Sequence, residues 1–190
     1  APDLGLDKVL VYEMDLSEGK LRVSENYGSV TPGSGPRHFD FHPNGRQAYV
    51  INEMGNTITV YDYDSKDGKL VEKQTISTLP DDFSGTSHTA DVHVTTSGKF
   101  LYGSNRGHDS LAMFQVDTDS GKLEFIGTES TGGKNPRNFA IDPSDTFVLA
   151  ANQDSDNIVT LRIDPMSGAL TPTGSVCQAP TPVCLKFMPV

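Results

Sequence analysis

The chain has 190 residues, with 15 Lys plus Arg against 25 Asp plus Glu and a formal charge of −10. That balance argues against nucleic acid or an anionic membrane as partner, because no basic surface is available to neutralise phosphates. No apolar run approaches the ~18 residues of a membrane span, and two cysteines, Cys177 and Cys184, are too few for a disulfide scaffold.

In chain order, residues 1–34 read as two strands, 9–14 and 21–27, around a turn at Asp15 to Gly19. A strand at 38–42 follows, then Pro43-Asn44-Gly45 as a turn. A second strand, 47–52, is rich in Ala, Tyr, Val and Ile. After Met54-Gly55-Asn56 the segment 57–63 alternates in a period of two, with Ile58, Val60 and Asp62 on one face. Asp64 to Gly68 turns the chain into a last strand at 69–77. The Asp-x-x-x-Gly turn recurs at Asp15, Asp64, Asp117 and Asp164. Its carboxylate caps the turn, and its glycine accepts positive φ.

The pattern then repeats. Pro36-Arg37-His38-Phe39-Asp40-Phe41-His42-Pro43 returns 100 residues later as Pro136-Arg137-Asn138-Phe139-Ala140-Ile141-Asp142-Pro143. A third copy lies at an offset of 53, matching Asn52 to Asn105, Asp64 to Asp117 and Gly68 to Gly121. A repeat of about 50 residues without helical periodicity suits propeller blades. The predicted fold is all-β: a β-propeller of four-stranded antiparallel blades. Three blades are complete, at 35–80, 88–131 and 135–176. Partial blades stand at both ends, with outer strands in 1–34 and the inner strand of a closing blade in 181–190.

In such a blade the loop entering the inner strand and the loop joining strands two and three lie on one face of the disc. Arg37 and His38 sit in the first kind of loop, as does Arg137. Glu53, Arg106 and Gln153 occupy one slot of the second kind, with His108 nearby. Three of the six arginines thus gather at one rim of an acidic chain. The guanidinium fork matches a carboxylate or phosphate, and Glu53 beside His38, His93 and His108 could move protons. The same residues could instead tie blade to blade by hydrogen bonds, and the sequence pattern leaves both readings open. His38 and His42 would present metal-ligand spacing only on a helix. Asp117-x-Asp119-x-Gly121 lacks the downstream Glu of a calcium loop. No serine-hydrolase elbow is present. The two thiols are expected to be free and buried, in a reducing, cytoplasmic compartment.

The segments GSGPRHFDFHPNGRQAYVINEMGNTITVYDYD, ADVHVTTSGKFLYGSNRGHDSLAMFQVD and NPRNFAIDPSDTFVLAANQDSDNIVTLRID resemble the lactonase family of seven-bladed β-propellers. That family includes a bacterial type of 6-phosphogluconolactonase and a fungal muconate-lactonising enzyme. The resemblance covers nearly the whole chain. It implies a site in the propeller mouth that uses no metal and no cofactor. Arg37 (GPRH), His38 and Arg137 (NPRN) would bind substrate. Glu53 (VINE), His93 (ADVH) and Arg106 (SNRG) would carry catalysis. The implied activity is hydrolysis of a carboxylated or phosphorylated sugar-acid lactone such as 6-phosphogluconolactone. Alternatives are a muconate-type lactonising enzyme, or a non-catalytic propeller binding an anionic metabolite or a protein. Seven blades of ~50 residues need roughly 350 residues, so the chain is expected to be a C-terminal part of a longer protein. Its open blade edges would then favour self-association.

Overall fold

The turns set the strand lengths, and the strands pair with their sequence neighbours. The structure is a computed structural model and describes residues 1–188. The first sheet holds β1 (Pro2–Asp3), β2 (Lys8–Asp15) and β3 (Lys20–Ser29). The second holds β4 (Pro36–Phe41), β5 (Gln47–Asn52), β6 (Thr57–Asp64) and β7 (Lys69–Ser77). The third holds β8 (His88–Val94), β9 (Phe100–Arg106), β10 (Ser110–Val116) and β11 (Leu123–Ser130). The fourth holds β12 (Pro136–Ile141), β13 (Phe147–Asn152), β14 (Asn157–Ile163) and β15 (Leu170–Gln178). Every sheet is an antiparallel meander in sequence order, and the inner strand β8 packs against both β4 and β12. These are propeller blades set side by side.

The Asp-x-x-x-Gly turns form as their chemistry requires. Asp15, Asp64, Asp117 and Asp164 each accept backbone N–H groups from within their own turn. Gly19, Gly68, Gly121 and Gly168 take φ between 63° and 71°, a region open to glycine at no steric cost.

The middle strands of the second and third sheets are apolar on both faces, because those blades are covered on both sides. In β5, Ala48 and Val50 pack toward the first sheet with Val9, Val30 and Tyr61. Tyr49 and Ile51 pack toward the third sheet with Val92, Leu101 and Phe114. The predicted face of β6 holds at Ile58 and Val60, both buried, while Asp62 is half-buried. Thr59 and Tyr61 on the opposite face are buried as well. A third core of Phe100, Tyr102, Phe139, Val148 and Leu161 joins the third sheet to the fourth.

Three expectations are corrected. The 1–34 segment forms three strands instead of two, since Pro2–Asp3 pairs with Val9 and Lys8. The closing segment shows no strand over 181–188; residues 189 and 190 of that expectation lie outside the described residues. Among the described residues no second strand stands beside it, so its backbone has no ladder to enter, and the Leu185 N–H donates to the Asn138 side chain instead, 2.6 Å away. Cys177 and Cys184 are free but exposed, the first because β15 is the outermost strand of its blade.

Candidate functional site

Two bulges aim the arginines. In the β4–β5 ladder Pro36 pairs with Asn52 and His38 with Ile51, so Arg37 has no partner and stands out of the pleat. The β12–β13 ladder repeats this at Arg137, between Pro136 and Asn138. Between Thr89 and Val92 of β8, Ala90 and Asp91 are bulged in the same way. A bulge re-aims side chains in this manner and recurs beside functional sites.

Side chains of the preceding blade hold the entry loops. The Asp7 carboxylate accepts from the N–H of Gly33 at 2.7 Å and of Gly35 at 2.9 Å. Asp109 does the same for Asn135, at 2.8 Å. The two loop types are then stitched together: Glu53 N–H donates to Gly35 O at 2.7 Å, and Gln153 N–H to Asn135 O at 3.0 Å. They share one face of the disc, as the blade topology predicts. After Arg106 comes Gly107, at φ 101°. A Cβ there would lie 2.4 Å from the Thr86 carbonyl oxygen, so this bend needs glycine.

These constraints converge on Glu53. Its Oε2 lies 2.9 Å from Arg37 Nε and its Oε1 2.8 Å from Arg106 Nη2. Arg106 Nη2 also donates to Thr89 O, at 2.8 Å. Glu53 is not the exposed rim carboxylate of an idealised loop: its side chain is 22% exposed, and those of Arg37 and Arg106 are 16% and 15%. Burial alone would raise the Glu53 carboxyl, but the Arg106 hydrogen bond and the charges of Arg106, Arg37 and Arg137 outweigh it and hold it below its ordinary value. Arg137 makes no hydrogen bond or ion pair among the described residues, yet its charge bears on both Glu53 and Arg37. Two guanidinium groups therefore flank one carboxylate, and the charge of a third reaches it. The Nη2 of Arg37 and the Nη1 of Arg106 have no protein partner among the described residues, and the buried Nε of Arg106 has none either.

Arg37 links this cluster to a second one. Its Nη1 donates to Ala90 O at 2.5 Å and to His38 Nε2 at 2.9 Å. An arginine can only donate, so His38 Nε2 accepts and its proton sits on Nδ1. That N–H points to Asp91 Oδ1, 2.5 Å away. Asp91 is 2% exposed. It also accepts from His93 Nε2 at 3.1 Å, Asn138 Nδ2 at 2.5 Å, Val92 N at 3.1 Å and Phe139 N at 3.3 Å. Burial would raise the Asp91 carboxyl, but its bonds to His38 and His93 prevail and hold it well below the carboxylate range.

His93 stands two residues further along β8, beside a hollow lined by Ala140, Leu185 and Phe187. Its Nδ1 lies 3.8 Å from Asp40 Oδ2. Burial opposes charge on the ring, but Asp40 and Asp91 overcome it and push the ring up to about 9. His93 is an imidazolium clamped between carboxylates, and among the described residues only Asp91 connects it to the arginines. His108 is drawn away from Glu53: its Nδ1 meets Ser110 Oγ at 2.6 Å, and its ring meets Phe83 edge-on at 4.7 Å. His42 binds the Gly98 carbonyl, at 3.0 Å. Among the described residues no three His, Cys, Asp or Glu side chains are grouped to hold a metal ion.

Arg37, His38, Glu53, His93 and Arg106 are thus brought into one network, with Arg137 within electrostatic reach. Sequence reading missed its hub, Asp91, and its supports Asp40 and Asn138. A signal existed. His38, Asp91 and Asn138 occupy one repeat slot at offsets of 53 and 100, and all three are polar in inner strands whose neighbouring slot holds Phe39, Val92 and Phe139.

The family profile described as "Lactonase, 7-bladed beta-propeller" matches residues 1–187. The chain belongs to the lactonase family. It is 42% identical over 188 residues to a 6-phosphogluconolactonase of Bacillus subtilis, an alignment covering 99% of this chain and 53% of that protein. It is 38% identical over 189 residues to a 6-phosphogluconolactonase of Pectobacterium carotovorum, covering 99% and 56%. Among solved structures, the periplasmic gluconolactonase of Pseudomonas aeruginosa superimposes with a TM-score of 0.92 at 36% identity, covering 100% of this chain and 53% of that one. The chain spans about half the length of these lactonase relatives.

Proposed function

We propose that this lactonase-family chain supplies an anion-clamping mouth to an enzyme that hydrolyses a carboxylated or phosphorylated sugar-acid lactone, with 6-phosphogluconolactone as the leading substrate. One observation carries the reading: Arg37 and Arg106 flank the single carboxylate of Glu53 and keep N–H donors free, with the charge of Arg137 reaching it as well. A pure blade-to-blade tie has no use for unspent guanidinium donors in a chain of charge −10. Fixed donors of this kind bind the substrate's anion and stabilise the oxyanion that develops when water attacks the lactone carbonyl. Two similar proteins named 6-phosphogluconolactonase support the phosphorylated substrate. Glu53, with its lowered proton affinity, fits a residue that aligns both arginines better than one that takes a proton.

The test is a pH-stat assay of the intact protein on δ-lactones with and without a 6-phosphate, alongside calorimetry with 6-phosphogluconate. Glu53→Gln should lower turnover about a hundredfold or more, the range for removal of one preorganised electrostatic element. It should also cost about 1–3 kcal/mol of stability, because it leaves two largely buried guanidinium groups without their counter-charge. The double substitution Arg37→Ala, Arg106→Ala should abolish anion binding. Undiminished binding in the double variant would remove the site. Binding without turnover on any lactone would make the protein a non-catalytic anion binder.

No helix of the described residues is long and apolar enough to cross a membrane. Two exposed free thiols, Cys177 and Cys184, favour a reducing compartment and with it the cytoplasm. Fractionation of the producing cells checks that assignment, and recovery in the periplasm would reverse it.

A further inference from the structure

The mouth arginines have an anchor outside the mouth. Asp91 lies on the inner strand of the third sheet, while His38 and Arg37 lie on that of the second. Its carboxylate is fixed by five donors from three inner strands: His38 Nδ1, His93 Nε2, Asn138 Nδ2, Val92 N and Phe139 N. A carboxylate so held can only accept, so it forces the Nδ1 proton on His38 to face it. The other ring nitrogen is left with a lone pair, and Arg37 Nη1 fills it at 2.9 Å. Were the ring to carry its proton on Nε2, an N–H would meet an N–H there and Arg37 would be pushed from its place beside Glu53. The His38 side chain is 42% exposed, so packing alone does not hold it. The carboxylate does.

We infer that Asp91 is a positioning residue for the anion clamp, acting through the tautomer of His38 to fix the guanidinium of Arg37 against Glu53. The role rests on the reading of the mouth as a sugar-acid site. Its order of action is Asp91, then His38, then Arg37. The arrangement serves recognition because a guanidinium held in place loses little freedom when an anion arrives. It also couples neighbouring blades, since Asp91 and Arg37 come from repeats 53 residues apart that meet only when blades stack.

The experiment uses the intact protein and three variants: Asp91→Asn, His38→Gln and the double. The first readout is the 15N signals of the His38 ring, which distinguish protonated from unprotonated nitrogen and need no substrate. Wild type should show a protonated Nδ1 and an unprotonated Nε2, and Asp91→Asn should lose that pure pattern. The second readout is calorimetry with 6-phosphogluconate. Asp91→Asn should weaken binding roughly tenfold, the scale of one charge-assisted hydrogen bond. His38→Gln should weaken it comparably, and the double should be no worse than either single, because both cut one relay. Additive losses, a pure Nε2–H ring in wild type, or unchanged His38 signals in Asp91→Asn would overturn the inference. If Asp91→Asn does not fold, unaltered binding in His38→Gln overturns it by itself. If wild type does not bind 6-phosphogluconate, the sugar-acid reading falls, and the positioning role is decided by the His38 nitrogen signals alone.

Discussion

At the scale of single residues, the charges along the propeller axis make stability depend on pH at both ends. His93 is raised from an ordinary 6.5 to about 9 in the folded protein by Asp40 and Asp91, against the opposing effect of burial. Its contribution is complete below about 6.5, where the unfolded ring is also charged, and is lost as pH climbs through about 9. Asp91 moves the other way. Its folded-state carboxyl lies well below the ordinary 3.8, so its contribution is present above that value and lost as pH falls beneath it. The urea midpoint should therefore be highest between about pH 4 and 6.5 and should decline toward about pH 9. His93→Gln should flatten the alkaline decline while lowering the midpoint at pH 6. A midpoint in wild type that does not change from about pH 6 to 10 would show that His93 is not clamped. None of this was legible from His93 alone. Its partner Asp40 sits 53 residues earlier, at its own repeat slot, and nothing local to the His93 segment marks the pairing.

At the scale of elements, the Asp-x-x-x-Gly turns do two jobs. Asp and Gly close the hairpin, which any reader of the sequence can see. In two of the four the glycine carbonyl then receives a tyrosine from the neighbouring blade: Tyr49 Oη donates to Gly121 O at 3.1 Å, and Tyr102 Oη to Gly168 O at 2.9 Å. Both tyrosines are fully buried. Tyr102→Phe keeps the ring and its packing but leaves that carbonyl without its donor, a cost of about 1–2 kcal/mol. Calorimetry should show a fall in Tm of about 2–4 °C for each kcal/mol lost, while an unchanged Tm would mean that another donor takes over. Gly107→Ala is expected to do more damage. Both the φ of 101° and the 2.4 Å approach to Thr86 O oppose a side chain. The loop must shift to accept it and carry Arg106 away from Glu53, so anion affinity should drop with stability. Retained affinity in Gly107→Ala would show that Arg106 is placed by something other than this bend.

At the scale of the whole molecule, each blade buries its lateral faces only where a neighbour stands. The second and third sheets are covered on both sides. The first leaves Tyr12, Met14, Leu21 and Val23 exposed, the last two at 64% and 66%. In the fourth sheet Val176 is exposed, as are Phe187 and Met188 after it. Clusters of this kind mark association surfaces, and the sheet edges add unpaired backbone groups. The 190-residue chain, purified as such, should therefore scatter light as a species heavier than 20.5 kDa at micromolar concentration. Leu21→Lys together with Val23→Lys should reduce that mass. A monodisperse particle of 20.5 kDa in the unsubstituted chain would refute the expectation.

What the sequence determined by itself is whatever depends on short range: the repeat, the turns, the strands between them, and the sharing of one face by the loops of Arg37 and Glu53. Turn chemistry and strand alternation act over a few residues and are written where they act. The tertiary structure alone decided the rest. Among the described residues it gave the closing segment no strand to pair with, and 181–188 is not a strand despite a sequence that copies β4. It set His93 between Asp40 and Asp91 and turned His108 to Ser110 and Phe83. It placed Asp91 under His38. The contacts of Asp91 with His38 and Asn138, and of His93 with Asp40, join residues about a repeat apart in sequence, and they come into being only when one blade's inner strand packs against the next.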